Sequence, residues 1–183
     1  MSGQAPRYAA DCSGACTIGC SGSSLARLAS SGATSTRFRP RAGVLGGSYG
    51  GFMTAWLAAH HERFRAGICE RAVFAWDSLL GTSDIGHTMT SMVGTDPAKW
   101  PAQTPLAHAD KINIPLLILH WEGDLRVPFE QAQRMFAALR ARRAPVELMV
   151  FPGGDHGVSR AGPPDHRVMR FEVILEWFAR HLG

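Results

Sequence analysis

The chain has 183 residues, 45% of them hydrophobic and 19% charged, which is one domain at most with enough apolar side chains for a core. Its formal net charge of +4 resides wholly in residues 1–41, where Arg7, Arg27, Arg37, Arg39 and Arg41 face only Asp11; the rest is balanced, with 14 basic and 14 acidic residues. A neutral body offers no electrostatic footprint for nucleic acid. No apolar run reaches membrane-spanning length, and the N-terminus lacks the basic start and apolar block of a secretory signal, so the expectation is a soluble cytoplasmic protein without membrane partners.

Residues 1–41 are rich in Ser, Gly, Ala and Arg, with no periodicity beyond a short stretch around Leu25–Leu28. Such a segment cannot bury enough apolar surface to offset its ordering entropy, and it is predicted to be disordered or non-native. Cys12, Cys16 and Cys20 lie in it, but CxxxCxxxC is not a common zinc spacing and no histidine is near, so no metal site is expected. Cys69 reads as a small core residue.

From Ala42 the character changes, and residues 42–183 are predicted as one α/β unit. Ala42–Leu45 reads as a strand running into glycines. Gly50 to about His61 reads as a helix with Phe52, Ala55, Trp56 and Ala59 on one face. Ala66–Val73 is a second strand. Residues 77–113, punctuated by Gly81, Gly86, Gly94 and Pro97, are predicted irregular with short helices. Pro115–His120 is continuously apolar, which suits a parallel strand covered on both faces. Phe129–Arg142 is a helix with Phe129, Ala132, Met135, Phe136 and Leu139 inward, and Val146–Phe151 a further strand. Asp165–His181 closes the chain as a helix whose apolar stripe is Val168, Phe171, Ile174, Leu175 and Phe178. Strands alternating with helices mean a parallel sheet.

Gly46-Gly47-Ser48-Tyr49-Gly50 places a serine between a strand and a helix, as in G-x-S-x-G. In a nucleophile elbow the chain turns so sharply that bulky neighbours two residues away collide, and the serine hydroxyl is pushed out above the sheet. The backbone N–H of Tyr49, opening the helix, is then a candidate oxyanion-hole donor. The alternative is a glycine-rich turn before an ordinary helix. A nucleophilic serine needs an acid and a histidine on later strand ends. His156, in Gly153-Gly154-Asp155-His156-Gly157, follows the strand 146–151; His60, His61, His87, His108, His120, His166 and His181 lie on helices, at a strand end or in the irregular segment. Asp124 follows the strand 115–120 and is preferred to Glu122 and to Asp155, which adjoins the histidine it would have to orient.

These motifs resemble the prolyl oligopeptidase family of serine peptidases, in its acylaminoacyl-peptidase-like branch. The resemblance rests on GGSYGGFMTAWLAAH (46–60), GTSDIG (81–86), Thr104-Pro105-Leu106, PLLILHWEGDLRVPFEQAQRMFAAL (115–139) and FPGGDHGVSRAGPPDHRVMRF (151–171). It implies an α/β-hydrolase fold, here its C-terminal strands and helices only, and it supports Ser48, Asp124 and His156 as a catalytic triad. It also suggests that Arg126 binds a substrate carbonyl or carboxylate, with a structural salt bridge as the alternative, and that Trp76 walls an apolar specificity pocket or belongs to the core. The family has further strands upstream of the elbow, one loop of which completes the oxyanion hole, and often a β-propeller. Residues 1–41 match none of this, and their bias reads as translation of a GC-rich gene out of frame.

The expected function is a serine-type peptidase that cleaves oligopeptides or acylated N-termini through an acyl-enzyme. A carboxylesterase on the same fold and a catalytically inactive fragment are the alternatives. No cofactor is implied, since a triad needs none. The sequence leaves the oligomeric state open.

Overall fold

The computed structural model describes residues 42–183 together with a two-residue strand, β1, at Ala15–Cys16. The expectations for the rest of residues 1–41, including disorder, a shifted reading frame and the cysteine trio, lie outside the described residues.

The elements follow in the order β2 (Ala42–Gly47), α1 (Tyr49–His60), β3 (Phe64–Glu70), α2 (Trp76–Thr82), α3 (Gly86–Val93), β4 (Leu116–Trp121), α4 (Glu130–Ala141), β5 (Val146–Phe151), α5 (Val158–Ala161) and α6 (Pro164–Leu182). Three short 3-10 turns fill the segment between α3 and β4. The sheet order is β1-β2-β3-β4-β5; β2 to β5 are mutually parallel and β1 is antiparallel. The edge of β2 carries β1 opposite Leu45 and Gly46. Main-chain groups on a sheet edge pair with any extended segment, so no side-chain pattern announces this contact.

Two apolar layers cover the parallel strands. On one face Cys69, Leu116, Ile118 and Val146 meet Ala55 and Ala58 of α1 and Ala132, Met135 and Leu139 of α4. On the other Ala66, Ile68, Leu117, Leu119 and Phe151 meet Val158 of α5 and Ile174, Trp177 and Phe178 of α6. Residues 116–119 alternate between these layers, which is why β4 is apolar throughout rather than at every second position. Gly43 lets the ring of Phe178 lie against β2, where a Cβ would collide with it.

Two expectations need correction. The second strand stops at Glu70 rather than Val73, because Arg71 takes a left-handed backbone with φ 37° and turns the chain out of the sheet. Residues 72–75 are instead buried coil. In α6 only Ile174 and Phe178 of the anticipated stripe are buried, joined by Trp177. Val168, Phe171 and Leu175 are 57%, 57% and 66% exposed. They sit round the helix from the face that Arg170, Ile174 and Phe178 turn to the sheet, which covers only one arc of the helix.

Candidate functional site

The parallel strands end together, and main-chain bonds carry the ladder past their ends. Ser48 N–H donates to Glu70 O at 2.9 Å, Arg71 N–H to Leu119 O at 2.7 Å and Glu122 N–H to Phe151 O at 3.1 Å. The loops after β2, β4 and β5 therefore leave the sheet from one rim, as ligand-binding loops of open α/β sheets do.

Ser48 forms the turn between β2 and α1 with φ 60° and ψ −124°. A non-glycine residue there costs of order 1–3 kcal/mol, which the surrounding structure must impose. Its carbonyl accepts the N–H groups of Gly51 and Phe52 at 2.9 and 3.1 Å and so starts the helix. Its hydroxyl makes no capping bond and is left to other partners. The glycines of the turn make room: a Cβ on Gly47 would collide with the Arg71 guanidinium, and one on Gly51 with Ala72. Tyr49 N–H, at the first position of α1, has no intrahelical acceptor by construction of a helix.

The structure brings Ser48, His156 and Asp124 into one relay. Ser48 Oγ lies 2.9 Å from His156 Nε2, and His156 Nδ1 lies 2.7 Å from Asp124 Oδ2. A carboxylate can only accept, so Nδ1 carries the proton and Nε2 presents its lone pair to the serine hydroxyl. Asp124 is wholly buried, and its Oδ1 accepts the N–H groups of Arg126 at 3.0 Å and Val127 at 2.9 Å. The carboxylate is thus held by main chain on one oxygen and aimed at the imidazole with the other. Glu122, the rival acid, faces the Gly153 N–H at 3.4 Å, and Asp155 Oδ1 accepts the Gly157 N–H at 2.6 Å; neither bonds the imidazole.

Arg126 forms a two-pronged ion pair with Asp84, Nε to Oδ1 at 2.6 Å and Nη2 to Oδ2 at 3.2 Å. The Arg126 guanidinium holds the Asp84 carboxyl below its usual range. Ser83 Oγ donates to Arg126 O at 2.6 Å, so the segment 81–86 is tied to the acid loop. Trp76 is buried and donates from Nε1 to Gln103 O at 3.0 Å. It also lines an open cavity of about 340 Å³ with Tyr49, Phe52, Met53, Trp56 and Met92. The Tyr49 and Phe52 rings stack at 5.3 Å and Phe52 meets Trp76 at 5.5 Å, so the cavity is an aromatic recess beginning one residue from Ser48.

Three residues of the site lie outside the set expected from the sequence. His120 is fully buried on β4, with Nε2–H donating to Val127 O at 2.8 Å and standing 3.9 Å from Asp124 Oδ2. Burial is the main cause holding its imidazole below the usual histidine range, and the unpartnered Nδ1 fits the neutral ring. Gln131 accepts the N–H groups of Phe74 and Ala75 at 2.9 and 2.8 Å and donates to Ser78 Oγ at 2.6 Å, clamping the start of α2 that carries Trp76. Arg71 reaches the His156 loop. Among the described residues no group of three or more His, Cys, Asp or Glu is arranged to hold a metal ion, and no helix is long and apolar enough to cross a membrane.

The prolyl oligopeptidase family matches residues 28–183, starting upstream of the change of character at Ala42. An uncharacterized peptidase of Bacillus subtilis (strain 168), YuxL, is 42% identical over 147 residues, covering 78% of this chain and 22% of that protein. The acylamino-acid-releasing enzyme of Sus scrofa is 30% identical over 155 residues, covering 78% of this chain and 21% of that one. An acylaminoacyl peptidase structure from Pyrococcus horikoshii superposes with a TM-score of 0.74 at 32% identity, over 76% of this chain and 23% of its own. The chain thus spans about a fifth to a quarter of the length of these relatives. Its four parallel strands and their helices are a part of the α/β-hydrolase fold. On the extent of the family match, the chain belongs to the prolyl oligopeptidase family of serine peptidases.

Proposed function

We propose that this chain is a serine hydrolase acting on peptides, with Ser48 as nucleophile, His156 as general base and Asp124 as the group that orients the imidazole. The observation that carries the reading is the relay itself, 2.9 Å from Ser48 Oγ to His156 Nε2 and 2.7 Å from His156 Nδ1 to Asp124 Oδ2. As Ser48 Oγ attacks a carbonyl carbon, its proton passes to His156 Nε2, and Asp124 stabilises the imidazolium. The developing oxyanion is met by the Tyr49 N–H at the positive end of α1. The tetrahedral intermediate expels the amine, which takes the proton from His156. Water then attacks the resulting Ser48 ester by the same route, releasing the acid and the free serine.

The aromatic recess of Tyr49, Phe52 and Trp76 beside Ser48 suits an apolar side chain on the acyl side of the scissile bond. Arg126 spends two of its five N–H donors on Asp84 and keeps others for a substrate carbonyl or carboxylate.

The test is labelling of the folded chain with a fluorophosphonate, followed by comparison of acyl-amino-acid amides with short-chain esters. Ser48→Ala is expected to abolish labelling. Asp124→Asn keeps the shape but favours the wrong tautomer, and is expected to slow labelling by roughly 10³- to 10⁴-fold. Amide turnover supports a peptidase and ester turnover alone a carboxylesterase. A cooperatively folded chain that neither labels nor turns over is an inactive fragment.

A further inference from the structure

The end of β3 is in contact with both the nucleophile turn and the histidine loop. Glu70 O accepts the Ser48 N–H at 2.9 Å. The next residue, Arg71, donates from Nε to His156 O at 2.9 Å and from Nη2 to Ser159 Oγ at 2.7 Å. Its own N–H is anchored on the sheet at Leu119 O, 2.7 Å away. The left-handed backbone at φ 37° swings the side chain from the sheet toward the loop. Gly47 leaves the volume that Nη1 occupies, since a Cβ there would collide with it.

His156 stands on a glycine-rich loop. Gly153 and Gly154 have φ 60° and 72°, and Gly157 follows the histidine directly. Side-chain torsions can aim an imidazole only from a main chain that stays put. The ring has to meet Ser48 and Asp124 at once, and a displacement of about 1 Å can cost a hundredfold in rate. The guanidinium is a rigid planar fork that stays charged, so it holds two acceptors in a set relation. Burial is the main cause lowering the proton affinity of the Arg71 guanidinium, with Arg170 and Arg160 acting in the same sense and the Glu70 and Asp124 carboxylates opposing it.

We propose that Arg71 is a positioning residue for His156. Its fork holds the main chain of the histidine loop at a fixed offset from the β3 end that also seats Ser48. The inference rests on the Ser48–His156–Asp124 reading for its effect on rate, but its geometric content is independent of turnover.

Two readouts on the full chain test it: the rate at which a fluorophosphonate labels Ser48, and the low-field proton resonance of the His156 Nδ1–H bonded to Asp124. In Arg71→Ala the rate is expected to fall about ten- to a hundredfold and the resonance to broaden or move upfield. Arg71→Lys keeps a charge but cannot fork, and is expected to recover only part of either. Methylguanidinium added to Arg71→Ala is expected to restore some of both, which a purely global stability role would not produce. An Arg71→Ala chain that labels at the wild-type rate with the resonance in place overturns the proposal. If that variant does not fold, Arg71→Lys with wild-type rate and resonance overturns it equally. A wild-type chain that shows the resonance but never labels, and loses it in Arg71→Lys, sinks the hydrolase reading while sustaining the positioning role.

Discussion

His120 sits beneath the relay with its ring wholly buried and its Nε2–H committed to Val127 O at 2.8 Å. Burial lowers its proton affinity; the Val127 bond and Asp124 oppose this, and His156 and Arg71 reinforce it. In the unfolded chain the same imidazole titrates near 6.5. Below that pH the unfolded state binds a proton that the folded state refuses, so its contribution to stability is intact above about 6.5 and is lost as pH falls through the folded pKa. The thermal midpoint is therefore expected to drop between about pH 7 and 5, and His120→Gln, which retains a donor toward Val127, to flatten part of that drop. Identical slopes in both proteins would show that His120 protonates as readily folded as unfolded. The sequence places this histidine at the end of a strand covered on both faces, but not its bond to Val127 or its approach to Asp124, which depend on how the acid loop folds back. Ser48, Asp124 and His156 were legible because glycines and strand ends mark their positions. Arg71 was not, since its role depends on a φ that no neighbouring residue type announces.

Among the elements, α6 separates pattern from packing most clearly. Its apolar residues spread over more of the helix than one sheet face can cover. Ile174 is buried in the apolar layer on the sheet, whereas Leu175, the next residue, is 66% exposed. Ile174→Ala is expected to cost about 2–5 kcal/mol, and Leu175→Ala no more than about 0.5 kcal/mol. Urea unfolding of the two variants measures the difference, and equal losses would mean that Leu175 is covered in solution. Periodicity found the helix but not the arc in contact, because the apolar moment points to a mean direction and the sheet decides which arc fits. The same holds for α4, where Gln131, a polar residue on the inward side, is fully buried because it satisfies the N–H groups of Phe74 and Ala75.

At the scale of the molecule, the last helix is tied to the middle of the sheet by one buried ion pair. Arg170 of α6 donates to Oε2 of Glu70 on β3 from both Nε, at 3.0 Å, and Nη2, at 2.8 Å. Glu70 is nearly inaccessible, so removing its partner leaves a buried charge uncompensated. Arg170→Ala is expected to destabilise the chain by about 3–5 kcal/mol, read by denaturant unfolding at pH 7. Arg170→Met with Glu70→Leu is expected to recover most of the loss, and a single variant with wild-type stability would show that water reaches the carboxylate. Alternating apolar runs, glycines at the turn and an ordered serine, acid and histidine were determined by the sequence alone, because period, steric size and strand ends are local properties. From them the parallel α/β architecture and the meeting of Ser48, Asp124 and His156 could be read. Only the tertiary structure decided which arc of α6 is buried, that β1 lies on the edge of β2, that Asp84 engages Arg126, and that residues 70 and 71 seat the serine turn and the histidine loop from one strand end. Each of these depends on the distance and direction between groups far apart in the chain, which neither residue type nor spacing encodes.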